Sequence, residues 1–213
     1  MPARVSESLV LRTYALREAD LIVSFFTRDQ GKLRGVARRA RRPKNNFGAG
    51  LERLAHVEMY YYERENRELV NLDSCDIVHS QFGLAANRLA GVALDYLAEA
   101  SEQLLPPAEP NERFFRLLLA MLEHLRKTGE DGVWPVVMYF SLWAVRLSGF
   151  LPELKLSQEE REIVVGALRR PVAELSQREW TKQTAAKLRR SLVCLIEEHV
   201  ERKLHSAAYL ESL

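Results

Sequence analysis

The spacing of apolar residues changes near position 80, and this change limits the folds that the chain can adopt. Before it, apolar residues alternate in short runs, which is typical of β-strands with one buried face. After it, they recur at three- and four-residue steps, which is typical of amphipathic helices. We therefore predict an α+β chain, mainly α by residue count, with a β domain over residues 1–80 and a helical domain over residues 81–213.

The first 80 residues predict five short strands. Their expected bounds are Glu7–Tyr14, Leu21–Thr27, Lys32–Ala37, Ala55–Glu63 and Leu69–Ile77. Five antiparallel strands leave unpaired edges unless the sheet closes on itself, so we expect a small barrel. Periodicity alone does not separate an oligonucleotide-binding (OB) barrel from an SH3-like barrel.

Capping residues, prolines and glycines divide the second part of the chain into helices. The predicted series is a long helix from Phe82 that ends before Pro106, a helix capped by Asn111, an apolar helix over Val136–Leu147, a helix with a capping box at Ser157 and Glu160, and a last helix from about Thr184 to Leu204. The apolar helix has no polar face, so we expect it at the centre of the helical core.

Composition excludes several classes of protein. The chain has 213 residues, of which 47% are hydrophobic and 28% charged, as in folded globular proteins. Cys75 and Cys194 are too few for a disulfide framework or a four-thiolate zinc site. The sequence has no apolar run long enough for a membrane span and no apolar core of a signal peptide near Met1, so we expect a cytoplasmic protein without a membrane partner.

Positive charge is concentrated in one stretch. The formal net charge is only +2, but residues 28–53 contain nine basic and two acidic side chains. Five of the seven residues in 38–44 are basic, and the flanking Pro, Asn and Gly residues predict a mobile loop. Crowded guanidinium groups repel one another, and their planar forks suit phosphate oxygens. The run therefore favours nucleic-acid binding, although a solvated loop without a partner is the alternative.

Three neighbouring tyrosines have two interpretations. Strand alternation places Tyr60 and Tyr62 on one face and Tyr61 on the other. Outward-facing rings next to a basic loop could stack unpaired bases. Aromatic pairing across the sheet is the simpler explanation.

No group of residues has the spacing of a catalytic or metal site. Cys194 and His199 are five residues apart on a predicted helix, so they point about 140° away from each other. The five histidines are scattered, and Gly48-Ala49-Gly50 is too short for a phosphate-binding loop. We therefore predict no enzymatic activity, no metal and no cofactor.

An ordered set of short segments resembles the bacterial recombination-mediator family RecO. The set covers about residues 5–154 and comprises Leu9–Tyr14, Glu18–Leu21, Phe26-Thr27, Gly31–Ala37, Ala40–Lys44 with Phe47, Tyr96-Leu97, Leu104–Pro106, Glu109–Asn111 and Gly149–Leu154. The resemblance implies an N-terminal OB barrel joined to a helical domain, and no catalysis of covalent chemistry.

The resemblance also implies partners and contact residues. RecO-like proteins bind single- and double-stranded DNA and anneal complementary strands. They act with the ring-forming protein RecR, contact the acidic tail of single-stranded DNA-binding protein, and help to load the RecA recombinase indirectly, which implies association with the nucleoid. Carried over by position, the DNA-contacting residues are Lys32, Arg34, Arg38, Arg39, Arg41, Arg42 and Lys44.

The sequence departs from the family pattern after Leu154. Many relatives have a zinc-binding cysteine cluster here, whereas this chain continues directly into the helix capped by Ser157. An alternative function therefore stays open, namely an interaction adapter of the same fold with weak DNA binding. Basic residues near apolar helix faces, Arg169, Arg170, Lys187, Arg189 and Arg190, could receive an acidic peptide or could be ordinary surface charges.

Overall fold

A computed structural model describes residues 3–63, 68–175 and 179–213 of the protein. The chain forms two compact units. The first comprises Met1–Gly83 and Ser101–Phe115, and the second comprises Leu84–Ala100 and Arg116–Leu213. The first unit thus extends beyond the β domain expected from the sequence, because it also includes a segment from the helical part of the chain.

The five strands of the first unit form a closed barrel. They are β1 (Ala3–Leu16), β2 (Asp20–Thr27), β3 (Gly31–Ala37), β4 (His56–Tyr62) and β5 (Val70–His79). The order around the barrel is β1-β2-β3-β5-β4, and β4 pairs with β1 to close it. The β3–β5 pair is parallel and the other pairs are antiparallel. The five predicted strands are confirmed, and the chain has the OB-type fold that the resemblance implied. The expectation that all strand pairs are antiparallel was wrong for the β3–β5 pair.

Alternate residues of the strands fill the barrel. Val23 and Phe25 of β2 and Met59 and Tyr61 of β4 are fully buried there. The rings of Phe25 and Tyr61 meet edge to face, with centroids 5.9 Å apart. Strand alternation separated Tyr61 from Tyr60 and Tyr62 without saying which face is buried, and the structure places Tyr61 on the inner face with Met59.

The segment Ser101–Phe115 packs against the outer side of β2 and β3. The ring centroid of Phe26 lies 6.1 Å from that of Phe114 and 5.6 Å from that of Phe115. The Ser24 hydroxyl donates a hydrogen bond to Oε2 of Glu102 (2.5 Å). These apolar and polar contacts explain why the segment belongs with the barrel in the first unit.

Seven α-helices are described in the remainder of the chain. They are α1 (Phe82–Ala85), α2 (Arg88–Leu104), α3 (Glu112–Thr128), α4 (Val133–Leu147), α5 (Gln158–Arg169), α6 (Ala186–His199) and α7 (His205–Ser212), with 3₁₀ turns at Gly129–Gly132 and Val172–Leu175. The first predicted helix is interrupted, because Asn87 caps α2 by accepting a hydrogen bond from the N–H of Ala90. The last predicted helix ends early, since Glu201 adopts a left-handed backbone conformation (φ 52°).

Several predicted helix signals are confirmed. The Asn111 side chain accepts a hydrogen bond from the N–H of Phe114 (3.0 Å). Ser157 and Glu160 form the reciprocal bonds of a capping box. Most of α4 is buried, as its apolar sequence predicted. Among the described residues, no helix has both the length and the apolar character needed to cross a membrane.

Candidate nucleic-acid interface

The basic residues of the sequence lie on β3 and on the loop that leaves it. We call the loop segment Arg38–Lys44 the basic loop. Its five basic side chains, Arg38, Arg39, Arg41, Arg42 and Lys44, are all exposed. Arg34, four residues earlier on β3, is also exposed. The structure thus places six of the seven predicted contact residues at the surface of one short stretch of the barrel unit.

Backbone contacts hold the basic loop against the barrel. The N–H of Arg39 donates to Oδ1 of Asp20 (2.8 Å), and the N–H of Arg41 donates to the carbonyl oxygen of Ala19 (3.1 Å). Just beyond the loop, Asn45 Oδ1 accepts from the N–H of Phe47 (2.8 Å), whose ring is buried in the barrel core. The loop that the sequence predicts to be mobile thus has two backbone hydrogen bonds to Ala19 and Asp20, and the buried ring of Phe47 follows it.

The basic side chains of the loop have no ion-pair partners in the described part of the chain. Among the described residues, no carboxylate forms an ion pair with any of the five basic side chains of the loop. Arg28 behaves differently, because its guanidinium lies 2.6 Å from a carboxylate oxygen of Glu7. Asp20 contacts only the backbone of the loop, so five neighbouring positive side chains without ion-pair partners produce a local field that attracts anions.

Lys32 is the exception among the predicted contact residues. Its half-buried ammonium donates a hydrogen bond to the carbonyl oxygen of Glu102 (2.5 Å). Burial lowers the pKa of Lys32, with a smaller opposing effect from the charge of Glu102. The backbone of Lys32 also accepts a hydrogen bond from the N–H of Ala108 (2.9 Å). Lys32 therefore fastens Ser101–Phe115 to β3 and does not join the exposed cations.

Arg34 has an aromatic neighbour that the sequence did not lead us to single out. Its guanidinium carbon lies 5.3 Å from the ring centroid of Tyr14, and that of Arg12 lies 5.0 Å from the same centroid. Arg12 and Tyr14 are two residues apart on β1, so they share a face of the strand. An Arg-x-Tyr pattern within a predicted strand was the signal that could have drawn attention to them.

The tyrosines of β4 are engaged within the sheet. The Tyr60 hydroxyl donates to Oδ2 of Asp76 on β5 (3.0 Å), and this hydrogen bond raises the pKa of Tyr60. Tyr61 is in the barrel core. Cross-strand contacts, the simpler of the two interpretations, thus account for both residues.

The basic residues of the helical unit have different environments. Arg189 is buried, donates to the carbonyl oxygen of Thr184 (2.7 Å) and pairs with Glu211 (3.2 Å). Arg189 therefore links buried parts of the helical unit and is not a surface charge. Burial lowers the pKa of its guanidinium. Lys187 and Arg190 instead line a cavity of about 410 Å³ on α6, together with Leu154, Ser191, Cys194, Leu195 and Glu198.

The histidines and cysteines are not assembled into a site. The described residues contain no group of three or more His, Cys, Asp or Glu side chains that could hold a metal ion. Cys75 is buried in the barrel, where burial raises its pKa to about 11. The His199 ring stacks on Phe150, with centroids 3.9 Å apart.

Both parts of the chain match models of one protein family. Residues 1–81 match the model described as the N-terminal part of recombination protein O, and residues 86–157 match the model of its C-terminal part. The chain is 38% identical to the DNA repair protein RecO of Koribacter versatilis, over 98% of both chains.

Other relatives that are also named DNA repair protein RecO match over a smaller share of both chains. Identity is 33% to RecO of Syntrophotalea carbinolica, over 70% of this chain and 57% of that protein. It is 39% to RecO of Geobacter sulfurreducens, over 58% of this chain and 50% of that protein. The matched regions thus cover only 57% and 50% of the lengths of these two relatives.

Proposed function

The chain belongs to the RecO family of DNA repair proteins, and from this premise we propose that it is a non-enzymatic recombination mediator that binds single- and double-stranded DNA and promotes strand annealing. The observation that carries the proposal is the basic loop, whose five exposed cations have no carboxylate partner among the described residues. With Arg34 they form the proposed DNA contact surface. We leave Lys32 out of this surface, because its ammonium is already hydrogen-bonded.

The proposed mechanism is electrostatic. Arginine side chains form paired hydrogen bonds with phosphate oxygens, and each neutralised phosphate releases condensed counterions. Two complementary strands repel each other through their phosphates. A protein that neutralises both backbones lowers this repulsion, so the bases meet and pair without any covalent step. The attached backbone of the basic loop supports this role, because less order must be imposed on the loop when DNA binds.

We further propose that the helical unit provides contacts for protein partners. The cavity on α6 combines apolar walls from Leu154 and Leu195 with the cation of Lys187 and with Arg190, whose guanidinium also lies 3.7 Å from a carboxylate oxygen of Glu211. That combination suits a peptide with acidic and apolar residues, such as the tail of single-stranded DNA-binding protein. A RecR-like ring protein is the second expected partner, and RecA loading would follow indirectly from both.

A strand-annealing assay tests the proposal. Two complementary oligonucleotides, one with a fluorophore and one with a quencher, are mixed with and without the protein at low salt. We expect the protein to accelerate quenching, and replacement of Arg38, Arg39, Arg41 and Arg42 by alanine to remove most of the acceleration. An adapter with weak DNA binding would leave the spontaneous rate unchanged unless a partner protein is added. Such a result would refute the annealing role and support the adapter.

A further inference from the structure

An aromatic ring and two arginines meet on the outer surface of the barrel, outside the basic loop. The guanidinium carbons of Arg12 and Arg34 lie 5.0 and 5.3 Å from the ring centroid of Tyr14. Both arginines are exposed, and Tyr14 is half-buried. Neither arginine forms an ion pair with a carboxylate in the described ranges 3–63, 68–175 and 179–213.

Strand register brings the three side chains together. Arg12 of β1 pairs with Ser24 of β2, and Ser24 pairs with Arg34 of β3, so the two arginines stand in one row across the sheet. Ser24 directs its hydroxyl to Glu102, away from the barrel interior, which identifies this row as outward-facing. Ser24 itself is fully buried, whereas the arginines at both ends of the row are exposed. Tyr14 is two residues beyond Arg12, on the same face of β1.

The same face leads directly to the basic loop. Arg34 precedes Arg38 by four residues, a distance of about 13 Å along an extended strand. A DNA strand whose phosphates lie on the basic loop would therefore pass close to Tyr14 with its next nucleotides. The distance is short enough for one oligonucleotide to contact both features.

The chemistry of the cluster matches an unpaired nucleotide. A nucleobase stacks on an aromatic ring irrespective of its sequence, and a guanidinium that it displaces from the ring is free to bind the adjacent phosphate. The exposed cation–π contact that is given up is weaker than the stacking gained. In a duplex the base faces are already stacked on one another, so only the phosphates are available.

We infer that Tyr14, together with Arg12 and Arg34, forms a stacking site for an unpaired nucleobase. The inference rests on the proposed DNA binding of the basic loop, and it assigns a different part of the DNA to each feature. The basic loop contacts phosphates of either form of DNA, whereas Tyr14 favours single strands.

The test combines two protein variants with two ligands. Tyr14→Leu removes the aromatic ring at similar size, and Tyr14→Phe keeps it. The ligands are a fluorescein-labelled oligothymidine and an abasic strand of equal length and charge. We expect Tyr14→Leu to weaken binding of oligothymidine by about five- to 150-fold, the range for loss of one stacked base. Binding of the abasic strand and of duplex DNA should stay unchanged, and Tyr14→Phe should bind like the wild type.

The measurements distinguish failure of the stacking site from failure of the proposed DNA binding. Equal weakening for both single-stranded ligands, or no weakening for either, would overturn the stacking site. Failure of the wild-type protein to bind any of the DNA ligands would instead reject the proposed function. Photo-crosslinking of the wild-type protein to an oligonucleotide containing 5-iodouracil gives a readout that does not need a folded variant. A crosslinked peptide that contains Tyr14 is expected, and crosslinks elsewhere without this peptide would contradict the inference.

Discussion

Replacement of four arginines of the basic loop should change the salt dependence of DNA binding by a calculable amount. The variant is Arg38→Ala, Arg39→Ala, Arg41→Ala and Arg42→Ala combined. All four side chains are exposed, so their loss leaves no cavity in the core. If each arginine neutralises one phosphate, the slope of log affinity against log salt becomes shallower by about 3.6 for duplex DNA and about 2.8 for single strands.

The slope difference corresponds to a large effect over an accessible range of salt. Between 50 and 200 mM salt, the wild-type protein should lose about 150-fold more duplex affinity than the variant, and about 50-fold more affinity for single strands. Fluorescence anisotropy of labelled 20-mers at five salt concentrations measures both slopes. Thermal unfolding of the variant checks that the barrel is intact.

A control with the same change in net charge separates local contacts from general electrostatics. Arg116, Arg161, Arg169 and Arg202 are exposed residues of the second unit. Their combined replacement by alanine also removes four positive charges, and we expect it to leave the slope within about one unit of the wild type. Equal slopes for the basic-loop variant and the wild type, or equal changes in both variants, would refute the assignment of phosphate contacts to the basic loop.

Two further predictions concern stability. Gly31→Ala should destabilise the barrel by about 3 kcal/mol or more in urea unfolding, because the residue has φ +76° and its new Cβ would lie 2.3 Å from the carbonyl oxygen of Glu109. Gly48→Ala, with φ +52° and no heavy atom within 4 Å of the new Cβ, should cost only about 1–2 kcal/mol, and equal losses would contradict the clash. Burial alone would raise the pKa of Glu99, but hydrogen bonds from the Ser206 hydroxyl and from backbone N–H groups lower it below the ordinary 4.5. The ionised carboxylate therefore stabilises the folded protein above its ordinary pKa, and this contribution is lost as the pH falls through the lower, folded-state pKa. Glu99→Gln should lower the free energy of unfolding by about 1 kcal/mol at pH 7 and by clearly less near pH 3.

The positions of the strands were predictable, because the alternation of apolar residues depends only on local burial. The pairing partner of each strand was not predictable. Alternate apolar residues identify β3 and β5 as strands, but nothing in their periodicity says that they pair in parallel. The same limit applies to α3. Its cap at Asn111 predicted where the helix begins, but the sequence could not show that Phe114 and Phe115 pack on Phe26, almost 90 residues earlier in the chain.

The basic loop was predictable from charge density alone, because five cations in seven residues can scarcely be buried or neutralised by their own neighbours. Lys32 shows where that reasoning fails. Its partner is the carbonyl of Glu102, 70 residues away, and charge counting cannot detect a carbonyl oxygen. The cluster at Tyr14 escaped for a similar reason, because Arg34 reaches Tyr14 only through the pairing of both β1 and β3 with β2, which the periodicity of a single strand does not show.

The assigned contacts share a property that suits a mediator acting on any DNA sequence. Guanidinium contacts to phosphates carry no sequence information, and stacking on a tyrosine ring tolerates every base. None of the side chains assigned here needs to read a base edge, so we expect affinity to vary little with base composition at fixed salt. The attached backbone of the basic loop adds to this tolerance. These hydrogen bonds hold the backbone of the loop in place, while the long, exposed arginine side chains can follow the phosphates of either a single strand or a duplex.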